Sequence, residues 1–111
     1  MAKLVETTYG DALFDLAVSE SKVDVLFEEA QAVIKAFDDN SELGKFLNHP
    51  KIKKEEKEKV IENIFGECVS KDMTGLLVIM ISKDRQVKIV ETLKYFMDRV
   101  KEYKKIGVVS V

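Results

Sequence analysis

The chain contains one cysteine, one proline and five glycines in 111 residues. A single thiol, Cys68, excludes an internal disulfide and any multi-cysteine metal site, and it fits a reducing compartment without selecting one. So few turn and breaker residues favour long helices joined by short connections. A block of one charge sign is also missing. Formal net charge is -2 with Lys and Glu interleaved, so no basic footprint for nucleic acid stands out. No basic-plus-apolar leader opens the sequence, and the apolar run from Leu76 to Ile81 is far short of the roughly 20 residues that span a bilayer.

What is present is a folded composition. Apolar residues make up 46% and charged residues 34%, enough for one domain with a real core. Apolar spacing places a first helix over Leu4 to Ser19, with Val5, Tyr9, Ala12, Leu13, Leu16 and Ala17 on one broad face. Leu4, Phe14 and Val18 fall outside that face, and Thr8, Asp11, Asp15 and Ser19 form its polar strip. A one-sided amphipathic helix follows over Asp24 to Phe37, with Ser21 as a possible cap and Glu28, Glu29, Gln31 and Lys35 on its wet side. A short helix, Glu42 to Leu47, is closed by Asn48-His49-Pro50, because the residue before proline is pushed out of helical geometry.

Lys54 to Phe65 reads as a fourth helix whose Lys- and Glu-rich first half is solvated and whose second half is apolar. It ends at Gly66. Leu76 to Ile81 is apolar on every side and so fits a buried strand or a buried helix; Asp72 as N-cap and Met73 as the start of the pattern decide for helix. A last helix runs from Val87 to about Tyr103, with Lys101, Lys104 and Lys105 suited to its C-terminal dipole. Ile106 to Val111 is β-branched and reads as the start of a strand without a partner. The expected fold is therefore all-α, a compact six-helix bundle over residues 1–105, with 106–111 a linker or the start of a truncated second domain.

The residues that carry chemistry elsewhere lack company here. His49 has no Cys, Asp or Glu at metal-ligand spacing and reads as a turn residue. Cys68 has no base beside it. Asp11 and Asp15 stand one turn apart, but without a pocket or third group they read as a solvated face. No Gly-rich phosphate loop occurs, so no cofactor, metal or catalytic residue is expected. The unusual feature is surplus apolar surface on the first and fifth helices. Two readings remain open: these helices sit mid-bundle, or they form a groove that takes a partner's amphipathic helix.

Tyr9-Gly-Asp-Ala12-Leu13-Phe14-Asp-Leu16-Ala17 resembles the Tyr-Ala-x-Ala-Leu-Phe-x-x-Ala opening of the delta subunit of F-type ATP synthase, whose mitochondrial counterpart is the oligomycin-sensitivity-conferral protein. Phe46 to Ile52 followed by Glu56-Lys57, Leu76 to Arg85, Ile89 to Phe96, and Val108 to Val111 fall in the same order as in that family. Departures are Gly10 for the usual Ala, expected to matter little, Gly75 for the usual Asn, and Asp84 for the common Gly. The resemblance implies a non-catalytic stator domain at the top of the catalytic head, on the cytoplasmic side of a bacterial inner membrane. It implies binding of alpha-subunit N-terminal helices through the first and fifth helices, and of the b subunits through a missing second domain, with no membrane insertion of its own.

Carried over to this chain, the resemblance puts Tyr9, Leu76, Ile79 and Met80 on the partner surface, and helical spacing extends it to Val5, Ala12 and Lys83. Leu77, Val78 and Ile81 are then left to the bundle, and Lys83 with the Asp11/Asp15 strip would orient the partner at the rim. Two other readings compete. One is a generic helical adaptor for a different amphipathic helix. The other is a small nucleic-acid binder using Lys51 to Lys54 and Lys101 to Lys105.

Overall fold

Apolar residues at three-and-four spacing produce six helices: α1 (Val5–Ser19), α2 (Val23–Asp39), α3 (Ser41–Leu47), α4 (Lys54–Phe65), α5 (Lys71–Ser82) and α6 (Ile89–Val109). A single 3-10 turn, Gln86–Lys88, leads into α6. The structure is a computed structural model and describes residues 4–109; among these no strand occurs, and the fold is an all-α bundle. The longest helix, α6, lies against α1 and α2, while α5 lies against α4. Leu26, Ala30 and Val33 of α2, Ile61 of α4, Met73, Leu77, Met80 and Ile81 of α5, and Ile89, Leu93, Phe96 and Val100 of α6 form the closed centre. Phe37 and Phe65 stack at 6.4 Å and tie α2 to α4.

Three elements differ from what spacing suggests. Ile106 to Val109 continue α6 instead of opening a strand. β-branched preference is contextual, and with no neighbouring strand to pair, extending an existing helix needs no new nucleus. Ser110 and Val111 lie outside the described residues. On α1 the buried residues are Gly10, Leu13, Phe14 and Ala17, so Phe14 belongs to the core side. Its ring meets Tyr103 edge-on at 5.6 Å and lies 4.3 Å under the Arg99 guanidinium. In α4, Lys57 is buried within the half expected to be solvated. It stands one turn before Ile61, where its long alkyl stem can cover apolar surface.

The start of α5 is fixed from outside the helix. Ser70, not Asp72, occupies the N-cap position, and its side chain makes no bond to its own helix. Glu29 of α2 instead accepts the Ser70 N–H at 2.9 Å and the Ser70 hydroxyl at 2.8 Å. A carboxylate there satisfies an otherwise unpaired amide and suits the positive end of the helix dipole. Glu29 thus leaves the wet face on which α2's own periodicity places it. Asp72 sits in the first turn and accepts a bond from Lys22 Nζ at 2.8 Å.

Both α1 and α5 close with the same backbone device. After α1, Lys22 N–H bonds to Ala17 C=O at 2.8 Å and Ser21 N–H to Val18 C=O at 3.3 Å, with Ser21 at φ 57. After α5, Arg85 N–H bonds to Met80 C=O at 2.7 Å and Asp84 N–H to Ile81 C=O at 3.0 Å, with Asp84 at φ 60. These are Schellman closures, in which the residue after the cap turns left-handed and glycine is preferred. The Gly that the sequence resemblance implies at position 84 is therefore understandable. Asp retains the turn here and adds an exposed ion pair to Lys54 at 3.1 Å.

Candidate functional site

Neighbours pull α1 and α5 apart. The first is drawn toward α6 and the second toward α4, and they touch each other only lightly. The gap is an open, apolar groove of about 260 Å³ lined by Ala12, Leu13 and Leu16 from α1 and by Lys71, Asp72, Gly75, Leu76 and Ile79 from α5. Ile79 is 50% exposed, comparable to Val25 at 51% and Ile64 at 42% on other helices, and it is its place in the groove that sets it apart. A second groove of about 310 Å³ lies on the other side of α5, lined by Glu62, Lys71, Thr74, Gly75 and Val78. A third depression of about 450 Å³ sits away from both, among α2, α3 and α4, with Leu43, Phe46 and Ile64 in its lining.

Of the residues singled out from the sequence, Ala12, Leu76 and Ile79 meet in the first groove. Val5 and Tyr9 are half-buried on α1 and pack against the core edge. Lys83 is exposed at the C-cap of α5, its N–H closing the last turn onto Ile79 C=O at 3.1 Å. Met80 is different: it has no exposed surface and belongs to the closed centre with Leu77 and Ile81. Successive helical residues point about 100° apart, so when Ile79 faces out, Met80 faces in. Val78, assigned to the core by the same reasoning, instead lines the α4–α5 groove. Spacing alone had no means of setting the rotation of a helix apolar on all sides.

Leu13, Leu16, Lys71, Asp72 and Gly75 line the groove but were missing from that set. Their signal was present: Leu16 follows Ala12 by one turn, and Lys71 and Gly75 precede Ile79 at the same spacing. The polar rim also differs from expectation. Asp11 is turned to α6, where its Oδ1 accepts bonds from Tyr95 Oη at 2.7 Å and Arg99 Nη1 at 2.5 Å. It is a clamp between helices and not a solvated rim group. The bond to Asp11, followed by burial, raises the Tyr95 phenol above its ordinary pKa, and the same carboxylate holds the Arg99 guanidinium more firmly protonated. At the groove's end, Lys22 bridges Asp72 at 2.8 Å and Glu20 at 3.3 Å, and the bond to Asp72 raises its ammonium pKa.

Outside the groove, the remaining chemistry-bearing groups have structural surroundings. His49 Nδ1 accepts the Lys51 N–H at 3.2 Å inside the turn after α3, and Cys68 is exposed in the α4–α5 connection. Among the described residues no group of three His, Cys, Asp or Glu is placed to hold a metal ion. No helix there is long and apolar enough to cross a membrane. What the arrangement offers is a place for an apolar helical ridge.

Comparison with known proteins gives a consistent picture. The family model described as ATP synthase delta (OSCP) subunit matches residues 5–111. An ATP synthase subunit delta from Lachnoclostridium phytofermentans is 54% identical over 111 residues, which is 100% of this chain and 61% of that protein. Proteins of the same description from Alkaliphilus oremlandii and Clostridium beijerinckii are 34% and 29% identical, over 93% and 84% of this chain and 53% and 52% of theirs. The chain therefore spans little more than half the length of these last two relatives.

Proposed function

Because the chain belongs to the ATP synthase delta (OSCP) subunit family, we propose that it is a non-catalytic part of the peripheral stalk, which holds the catalytic head of a membrane-bound ATP synthase against rotor torque. In this reading the α1–α5 groove receives the N-terminal helix of an alpha subunit. The b subunits engage a further domain C-terminal to the bundle, and the assembly lies on the cytoplasmic side of a bacterial inner membrane. The observation that carries the reading is the groove itself, with the half-exposed Ile79 beside Ala12, Leu16, Gly75 and Leu76.

The mechanism is mechanical coupling, and no transition state is stabilised. Seating an apolar side chain of Leu size contributes about 1.5–3 kcal/mol, while association costs about 4–15 kcal/mol in lost freedom and ordering. Three or four anchors in one groove therefore give modest affinity. A stator needs more than that, and linkage to the b subunits supplies it by raising the effective concentration of the groove at its partner. Small residues on both walls, Ala12 and Gly75, let a helix backbone approach closely and improve the packing of each anchor.

Calorimetric titration of this chain with a synthetic peptide covering the N-terminal helix of the cognate alpha subunit tests the reading. Ile79→Asp should weaken binding by roughly tenfold or more, since it puts a charge into the apolar contact. Ile64→Asp, on the α2–α3–α4 side, should leave it unchanged. Equal affinity for the Ile79→Asp variant would overturn the groove assignment. Equal affinity for an unrelated amphipathic helix would make the domain a general helical adaptor instead.

A further inference from the structure

Gly75 lies on the crest of α5. It lines both the α1–α5 groove and the α4–α5 groove, and a methyl group added at its Cα would meet nothing within 4 Å. The bundle therefore gives no packing reason for glycine at this position, and φ is not positive there. In a helix interior glycine is unfavourable by roughly 0.5–1 kcal/mol relative to alanine. Lys71 and Gly75 are common to the linings of the two grooves, so at position 75 only bare backbone stands on the ridge between them. Around it the charges are sorted. Lys71 and Lys83 are exposed at the two ends of α5, and neither has an ion-pair partner among the described residues. Asp15 is exposed on α1, next in sequence to Leu16 of the opposite wall, also without one among the described residues.

We propose that Gly75 is a specificity notch that admits one bulky apolar side chain (Leu, Met or Phe) of the docked alpha-subunit helix, and that the unpaired charges set its rotation. The helix carries acidic residues on the flank facing Lys71 and Lys83 and a basic residue on the flank facing Asp15. This rests on the alpha-subunit reading of the groove. The open space over the Gly75 backbone, which lines both grooves, fixes where the large residue goes. The opposite charges of the two walls leave only one rotation of an amphipathic helix in which both flanks are paired. Asp72 does not compete for the basic flank, because Lys22 already occupies it.

The test uses the same chain and the same alpha-subunit N-terminal peptide, with thermal unfolding and far-UV circular dichroism as the control for folding. Gly75→Leu should fold, because the added side chain points into open space, and should bind the native peptide at least tenfold more weakly by filling the notch. Truncating one large apolar residue of the peptide to Ala should recover most of that loss with Gly75→Leu and weaken binding to the unmodified chain. Lys71→Glu combined with Lys83→Glu should slow association and invert the salt dependence. Native-strength binding to Gly75→Leu, or a loss that no peptide truncation recovers, would overturn the notch. An unchanged salt dependence in the double charge variant would overturn the charge pairing. Failure of the peptide to bind the unmodified chain at all would instead sink the alpha-subunit reading beneath it.

Discussion

Two glycines of α1 and α5 have opposite reasons for being there. A Cβ on Gly10 would collide with Tyr95 Cδ2 and stand 3.3 Å from Thr92 O, so the glycine permits the close approach of α1 to α6. The sequence resemblance implies alanine at position 10, and the substitution looks harmless from sequence. Here the Tyr95 ring occupies the space that a methyl group would take. Gly10→Ala should therefore cost about 1–3 kcal/mol by overpacking, despite the better helix propensity of alanine. Gly75→Ala should raise stability by about 0.5–1 kcal/mol. Urea unfolding of both variants checks the contrast. In a Tyr95→Leu background the Gly10→Ala penalty should shrink, which a double-mutant cycle measures.

At the scale of elements, helix existence was legible and helix context was not. The three-and-four spacing of Leu26, Ala30 and Val33, or of Leu93, Phe96 and Val100, marks one buried face, and those residues are buried. The α1–α5 groove was legible as surplus apolar surface, and Ala12, Leu76 and Ile79 do line it. The rotation of α5 was not, because Ile79 and Met80 are equally apolar and only the packing partners distinguish them. Asp11 and Glu29 were misplaced for a related reason: each looks solvated on its own helix, and each is used by another one. For Glu29 this has a measurable consequence. Glu29→Gln replaces a charge-assisted pair of bonds to Ser70 with weaker ones and removes a negative charge from the start of α5. The expected loss is about 1–2 kcal/mol, and amide exchange should accelerate first at Lys71 to Thr74, the turn that this carboxylate anchors.

For the whole molecule, the seam between α1 and α6 should make stability sensitive to alkaline pH. Asp11 accepts bonds from both Tyr95 and Arg99, and the Arg99 guanidinium covers the Phe14 ring. The folded state holds the Tyr95 proton more tightly than the unfolded chain does, chiefly through the bond to Asp11. A phenol with a raised folded pKa contributes stability that is fully present below the unfolded value of about 10 and is lost as pH rises through the folded value, since the unfolded chain sheds its proton first. Lys22, raised by its bond to Asp72, acts with the same sign in a neighbouring window. Unfolding free energy should thus fall steadily above about pH 10, with α1 separating from α6 as a tyrosinate faces a carboxylate. Tyr95→Phe removes the titrating group along with its hydrogen bond. This variant should be less stable than the native chain at neutral pH yet lose less stability between neutral and strongly alkaline conditions. Parallel alkaline limbs for the two proteins would show that the Asp11 clamp does not govern this boundary.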